Sequence, residues 1–303
     1  MILSNFRKNF AGILVSAFVL FTFMSCGGDD KTESENMSSD EKTTPQSTEK
    51  DSIVENIFYS VPSPIETATL IQEAGVPYNK DYLNDIQKVS KYTTTGDKAL
   101  NLGIYGSDLS FTSIYDQTQE SMLYLKCANN LANGLGISGA FDENTANRLE
   151  ANKSNRDSLL GIISESFWTA DSYLKDNERP GTSSLIIAGG WVEGLYIATK
   201  LLETGKNKDI EMRIAEQKFT LDNLVNMLKR YDFDETVAGM HKSLLDLKTV
   251  YDGVQVTKSK SVSTTDAKTG VTTIGGGSKL SITSEQLKAI SDKIQVIRAK
   301  IIK

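Results

Sequence analysis

Through residues 51–303, apolar side chains keep returning three and four positions apart, and a chain patterned this way buries itself by packing helix on helix. The clearest run is Val237, Met240, Leu244, Leu247, Tyr251 and Val254, with Asp234 placed to cap it. Before it come Ile210, Ile214, Leu221, Leu224, Leu228 and Tyr231, stopped by Asp232-Phe233. The last run is Leu287, Ile290, Ile294, Ile297 and Ile301, where Thr283 and Gln286 have the spacing of a capping box. An apolar helix from Leu185 to Leu202 is expected to end at Gly205.

Other stretches extend the pattern. One helix is expected from Asp142 through Leu149, Leu160, Ile163, Phe167, Ala170 and Leu174 to Arg179-Pro180-Gly181, a rod roughly 50 Å long at 1.5 Å per residue. Ser107 to Asn133 carries two overlapping stripes and reads as one central helix buried on more than one face. Two short helices are expected ahead of it, one from Ser63-Pro64 to Gly75-Val76-Pro77 and one from Asn79 or Lys80 to about Lys91. From Thr257 to Ile282 the chain instead alternates Val, Ser, Thr and Lys around Asp266-Ala267-Lys268-Thr269-Gly270 and Gly275-Gly276-Gly277. The sequence therefore predicts an all-α fold: a single helical domain over 51–303, a bundle of about seven to eight helices, with 257–282 as a short β-hairpin or flexible loop before the last helix.

Composition narrows the chemistry. With one histidine there is no His-rich zinc site and no pair of Glu-x-x-His helices for a di-iron centre, so no metal or cofactor is expected. A net charge of −6 without a Lys/Arg block argues against a nucleic-acid partner. Gly275-Gly276-Gly277-Ser278-Lys279 lacks the spacing of a phosphate loop, so no nucleotide is expected either.

The N-terminus reads as an address. Arg7 and Lys8 precede an apolar run from Phe10 to Met24, too short to span a bilayer comfortably, so residues 1–25 have the form of a signal segment. Phe23-Met24-Ser25-Cys26, followed by Gly27-Gly28, resembles the lipobox of bacterial lipoproteins, with Phe23 where Leu is usual; the resemblance implies cleavage before Cys26 and acylation of its thiol. Residues 26–50 are acidic and rich in Ser and Thr, with Met37 the one large apolar side chain after Cys26, and so form a tether with a mean span on the order of 27 Å. Gly27-Gly28-Asp29-Asp30 resembles the acidic export signal of Bacteroidota surface lipoproteins, and equally fits a merely acidic linker. Asp51-Ser52-Ile53 and Asp157-Ser158-Leu159 resemble the short sites that these bacteria O-glycosylate.

Within the helical part, Gly103, Gly106, Gly189, Gly190 and Gly194 require a reason, because glycine inside a helix costs about 1 kcal/mol relative to alanine. Gly190, Gly194 and Ala198 fall on one face, which fits close packing of a second helix. The alternative is a shallow ligand groove formed with Tyr105, Asp108, Trp191 and Glu193. His241 sits one residue off the stripe of its helix, and Cys127 lies mid-helix where a buried inert thiol is expected. No serine has the context of a hydrolase nucleophile. Glu165, Glu193, Glu211, Glu216 and Asp246 are helix-borne acids that suit a solvated face, or a carboxylate pair for glycoside hydrolysis.

Ser63-Pro64-Ile65-Glu66, the stretch Leu102-Gly103-Ile104-Tyr105-Gly106-Ser107-Asp108-Leu109-Ser110, and Tyr115-Asp116-Gln117-Thr118-Gln119 together resemble a group of uncharacterised Bacteroidota lipoproteins over roughly residues 60–200. The resemblance implies an envelope location and an all-helical domain, and attaches no activity. Two functions are expected: a non-enzymatic, lipid-anchored domain that binds or scaffolds an envelope protein or glycan at the outer membrane, or a carboxylate-based enzyme on envelope glycans.

Overall fold

The computed structural model describes residue 75 and residues 77–203, 205, 207–258, 262–265, 272–275 and 278–303. The signal segment, Cys26, the tether, Asp51-Ser52-Ile53 and the helix expected from Ser63-Pro64 lie outside the described residues, all of which belong to one compact unit.

The fold is all-α. Among the described residues eight α-helices run in the order α1 Thr95–Ile114, α2 Thr118–Leu135, α3 Glu143–Ala151, α4 Arg156–Asp176, α5 Pro180–Glu203, α6 Lys208–Lys229, α7 Glu235–Tyr251 and α8 Ser284–Ile301. Their starts follow local chemistry. Thr94, Asp142, Asn155, Asn207 and Asp234 each accept a hydrogen bond from a free backbone N–H of the first turn. Pro180 opens α5, and Thr283 with Gln286 forms the reciprocal capping box of α8.

Two expected helices are in fact four. The Ser107–Asn133 stretch splits into α1 and α2 at Tyr115-Asp116-Gln117, where Asp116 takes φ +56°. Gln117 N–H reaches back to Thr112 O at 2.9 Å and Asp116 N–H to Ser113 O at 3.2 Å, the paired bonds of a Schellman stop built on aspartate where glycine is usual. The 50 Å rod likewise breaks at Asn152-Lys153-Ser154, and Asn155 caps a new helix, α4. A second glycine-free Schellman stop at Glu178, φ +57°, then ends α4. The segment expected as a helix from residue 79 or 80 to 91 is two 3₁₀ turns, Lys80–Tyr82 and Ile86–Lys91, joined by extended Leu83 and Asp85.

Between α7 and α8 the chain forms a two-stranded antiparallel ribbon. Its outer pair is β1 Gln255–Lys258 with β4 Ser278–Ser281, and its inner pair β2 Val262–Thr265 with β3 Thr272–Gly275. Gln255 faces Ser281 in the outer pair and Val262 faces Gly275 in the inner pair. Leu280 anchors the base of the ribbon in the core. Lys218 of α6 caps the end of α7 beside that base, donating to the carbonyls of Tyr251, Asp252 and Val254 at 2.6, 3.3 and 3.1 Å.

Helices α1 and α5 form the middle of the molecule, packing against each other more extensively than any other pair. Gly103 and Gly189 set how closely they approach. A Cβ at Gly103 would stand 2.0 Å from Ile186 O, and one at Gly189 would stand 2.0 Å from Leu100 O. Gly106 makes room instead for the Phe167 ring of α4, and Ser107 Oγ donates to Gly190 O at 2.9 Å. The close approach expected along Gly190, Gly194 and Ala198 is thus displaced by one residue. Gly190 has only ordinary contacts, and a Cβ at Gly194 meets nothing within 4 Å. Helix α5 is long and apolar enough to cross a membrane, yet 78% of its most apolar window is buried inside the protein: it is the core helix.

Candidate functional site

The α1–α5 crossing carries the strongest concentration of buried charge among the described residues. Asp108 leaves α1 one residue after Ser107, and Glu193 leaves α5 three residues after Gly190, so the contact between Ser107 and Gly190 sets both carboxyls on the same side of the crossing. Both are fully enclosed, at 0% exposure. Arg298 of α8 closes the group. Its Nε donates to Glu193 Oε2 at 2.5 Å and its Nη2 to Glu193 Oε1 at 2.6 Å, a two-pronged pair; Nη2 also reaches Tyr82 O at 3.0 Å. The guanidinium lies over the Tyr196 ring, 4.1 Å from its centroid.

Asn84, on the link between the two 3₁₀ turns, organises the other side. Its backbone N–H donates to Asp108 Oδ2 at 3.1 Å, its side-chain amide donates to Tyr92 Oη at 3.1 Å, and its carbonyl accepts from Tyr124 Oη at 3.1 Å. Tyr105 Oη donates to Asp85 O at 2.8 Å.

Burial dominates the titration of this cluster. Desolvation and then the charge of Glu193 push the Asp108 carboxyl well above the usual carboxylate range, with Arg298 opposing. Desolvation pulls Arg298 down, but the charge and hydrogen bonds of Glu193 outweigh it and hold the guanidinium above its ordinary value. Burial raises the phenols of Tyr92, Tyr105 and Tyr124. Cys127 faces the Ile86 carbonyl at 3.8 Å, and burial pushes its thiol up to about 11, the state of an inert core sulfur.

Of the four residues expected around a groove, the structure brings three into this neighbourhood and encloses all of them. Asp108 and Glu193 belong to the cluster and Tyr105 borders it. Trp191 points elsewhere, donating from Nε1 to Gln217 Oε1 of α6 at 2.9 Å. They line no groove: Tyr105, Asp108 and Glu193 are 0% exposed and Trp191 is 5%. Sequence reasoning missed Arg298, which looks like one more cation on the polar side of α8, and Asn84, which lies in a segment with no periodicity.

The remaining acids do not join them. Glu165 pairs with Arg148, Glu211 with Lys208, Glu216 with Arg213 and Asp246 with Lys293, each on the surface. A shallow depression at the α1–α2 break has Asp116 as its one acid, beside Ser121, Met122 and Lys153. His241 stands with Nδ1 3.7 Å from Asp232. Asp157-Ser158-Leu159 is the first turn of α4, with Ser158 N–H bonded to Asn155 and Leu159 in the core. Among the described residues no group of three or more His, Cys, Asp or Glu is arranged to hold a metal ion. Comparison with protein-family models, curated proteins and solved structures finds no match.

Proposed function

We propose that the protein is a lipid-anchored component of the bacterial envelope, attached through Cys26, in which the helical body binds or scaffolds another envelope component. The signal segment, the cysteine context and the acidic tether support the anchoring; the resemblance to Bacteroidota lipoproteins supports an outer-membrane location. The observation that carries the non-enzymatic reading is the enclosure of Asp108 and Glu193. The two carboxyls that the fold brings together are sealed in the core, with Glu193 paired to Arg298, whereas glycoside hydrolysis needs a pair flanking an open cleft.

The face offered to a partner is the outer side of α4. Trp168 is 59% exposed and Tyr173 46%, on the same helix as Glu165, which pairs on the surface with Arg148 of α3. Exposed aromatic rings with a polar edge suit a protein or a sugar ring. Cys26→Ser should move the protein from the membrane fraction to the soluble fraction; unchanged fractionation would defeat the anchor. The wild type, crosslinked in its own envelope, should retain a partner that Trp168→Ala with Tyr173→Ala loses. Equal recovery by both forms would defeat the α4 surface.

A further inference from the structure

Two carboxyls and one guanidinium are enclosed together at the α1–α5 crossing, and the hydrogen bonds do not balance if both acids are ionised. Arg298 spends its fork on the two oxygens of Glu193. Asp108 Oδ2 takes the N–H of Asn84, while Asp108 Oδ1 is wholly buried and receives no donor. A buried carboxylate oxygen without a donor is costly; the same oxygen carrying a proton becomes a donor, and the neighbouring Glu193 carboxylate accepts it.

We propose that Asp108 and Glu193 share one proton, and that this proton latches the C-terminal helix α8 onto the α1–α5 crossing. With it, the cluster is neutral: one carboxylate, one guanidinium, one carboxylic acid. Its loss to solvent leaves two carboxylates facing one cation. Among the described residues Arg298 is the one cation that acts on Asp108. The groups that face Asp108 are Glu193 from α5, Arg298 from α8, Tyr105 from its own helix, Tyr124 and Cys127 from α2, and Tyr78 and Tyr92 from the preceding segment. The element that yields is the end of α8. Its last turn is held by Arg298, by Asn101 Nδ2 donating to Ile301 O at 3.2 Å, and by Lys88 Nζ donating to Ile302 O at 2.6 Å.

The direction with pH follows from linkage. An acid whose carboxyl is raised in the folded state binds a proton there that the unfolded chain has already released. Its stabilisation is therefore complete below the unfolded value of about 3.9 and declines as pH rises toward the folded value. Asp108→Asn keeps the donor to Glu193 and the acceptor for Asn84 N–H, and removes that decline.

Infrared spectroscopy of the full chain at neutral pH tests the proton directly, because exposed carboxyls are then ionised. The wild type should show a protonated-carboxyl C=O band, lost in Asp108→Asn. Glu193→Gln should also lose it, since Asp108 then faces Arg298 alone. A wild type without the band overturns the shared proton, and a band that survives Glu193→Gln reduces it to an isolated buried acid. Limited trypsin cleavage after Arg298 tests the latch: it should rise between pH 6 and 9 in the wild type, relative to a flat Asp108→Asn. Parallel profiles would overturn it. The wild-type band and its loss in Asp108→Asn remain decisive even if Glu193→Gln does not fold.

Discussion

Helices α1 and α7 are of similar length and belong to the same bundle, yet 17 of the 20 residues of α1 are buried against five of the 17 in α7. Helix α7 buries Val237, Met240, Leu244, Leu247 and Tyr251, a single stripe at intervals of three and four, and its remaining residues are half-buried at the flanks or exposed. Helix α1 is enclosed on every side, by α5 at Gly103, by α4 at Gly106, by α2 and by the Asn84 turn, so it hides polar residues as well as apolar ones. Where one face is buried, stability comes from apolar area and each position counts separately. Where all faces are buried, it depends on close approach and on every polar group finding a partner.

Five substitutions probe that difference. The largest effect is expected from Arg298→Met, which strands Glu193 and Asp108 without a cation; loss of a buried partner costs about 3–5 kcal/mol. Urea unfolding would measure it, and a loss under about 1 kcal/mol would show the cluster to be more hydrated than its enclosure implies. Next is Gly189→Ala, which drives a methyl group into Leu100 O and should cost about 1–3 kcal/mol. Gly194→Ala, on the same helix, meets open space and should be neutral or stabilising. Equal thermal midpoints for these two variants would sink the close-approach account.

A smaller effect of opposite sign is expected at the end of α1. Asp116→Gly relieves a left-handed backbone position and should raise stability by about 1 kcal/mol, seen as a higher urea midpoint. Smallest of all is Leu245→Gln on the exposed side of α7, where Leu245 is 41% exposed. A shift within about 0.5 kcal/mol is expected, and a larger one would mean that α7 is not the one-sided helix described.

The same contrast explains what could be read in advance. Helices α6, α7 and α8 are amphipathic, and their stripes, the Asp234 cap and the Thr283–Gln286 box stand in the structure as expected. The boundary between α1 and α2 was hidden because a helix buried all round has no clear period, and because its stop uses Asp116 rather than a glycine. The break before α4 escaped for a related reason: Leu149 and Leu160 both continue into the core, so the apolar pattern runs through a turn that only Asn152 and Asn155 punctuate. At the candidate site, Asp108 and Glu193 could be singled out by their place beside helical glycines. That they are enclosed, and that Arg298 pairs with Glu193 from 105 positions away, depends on a packing of three helices that spacing along one helix does not encode.

That distant partner has a consequence for how the molecule is made. Arg298 closes contacts with Glu193 and Tyr82, 105 and 216 positions earlier, and the last turn of α8 is fastened to Asn101 and Lys88 across 200 and 214 positions. Closing loops of that length is slow compared with pairing neighbouring helices. Helices α1 and α5 can therefore meet before Arg298 reaches them, and until α8 docks their two acids stand without a counter-ion. Docking of α8 is expected to be the step that makes the centre of the bundle compact, with the amides of α1 and α5 gaining their full protection from hydrogen exchange only when it is complete.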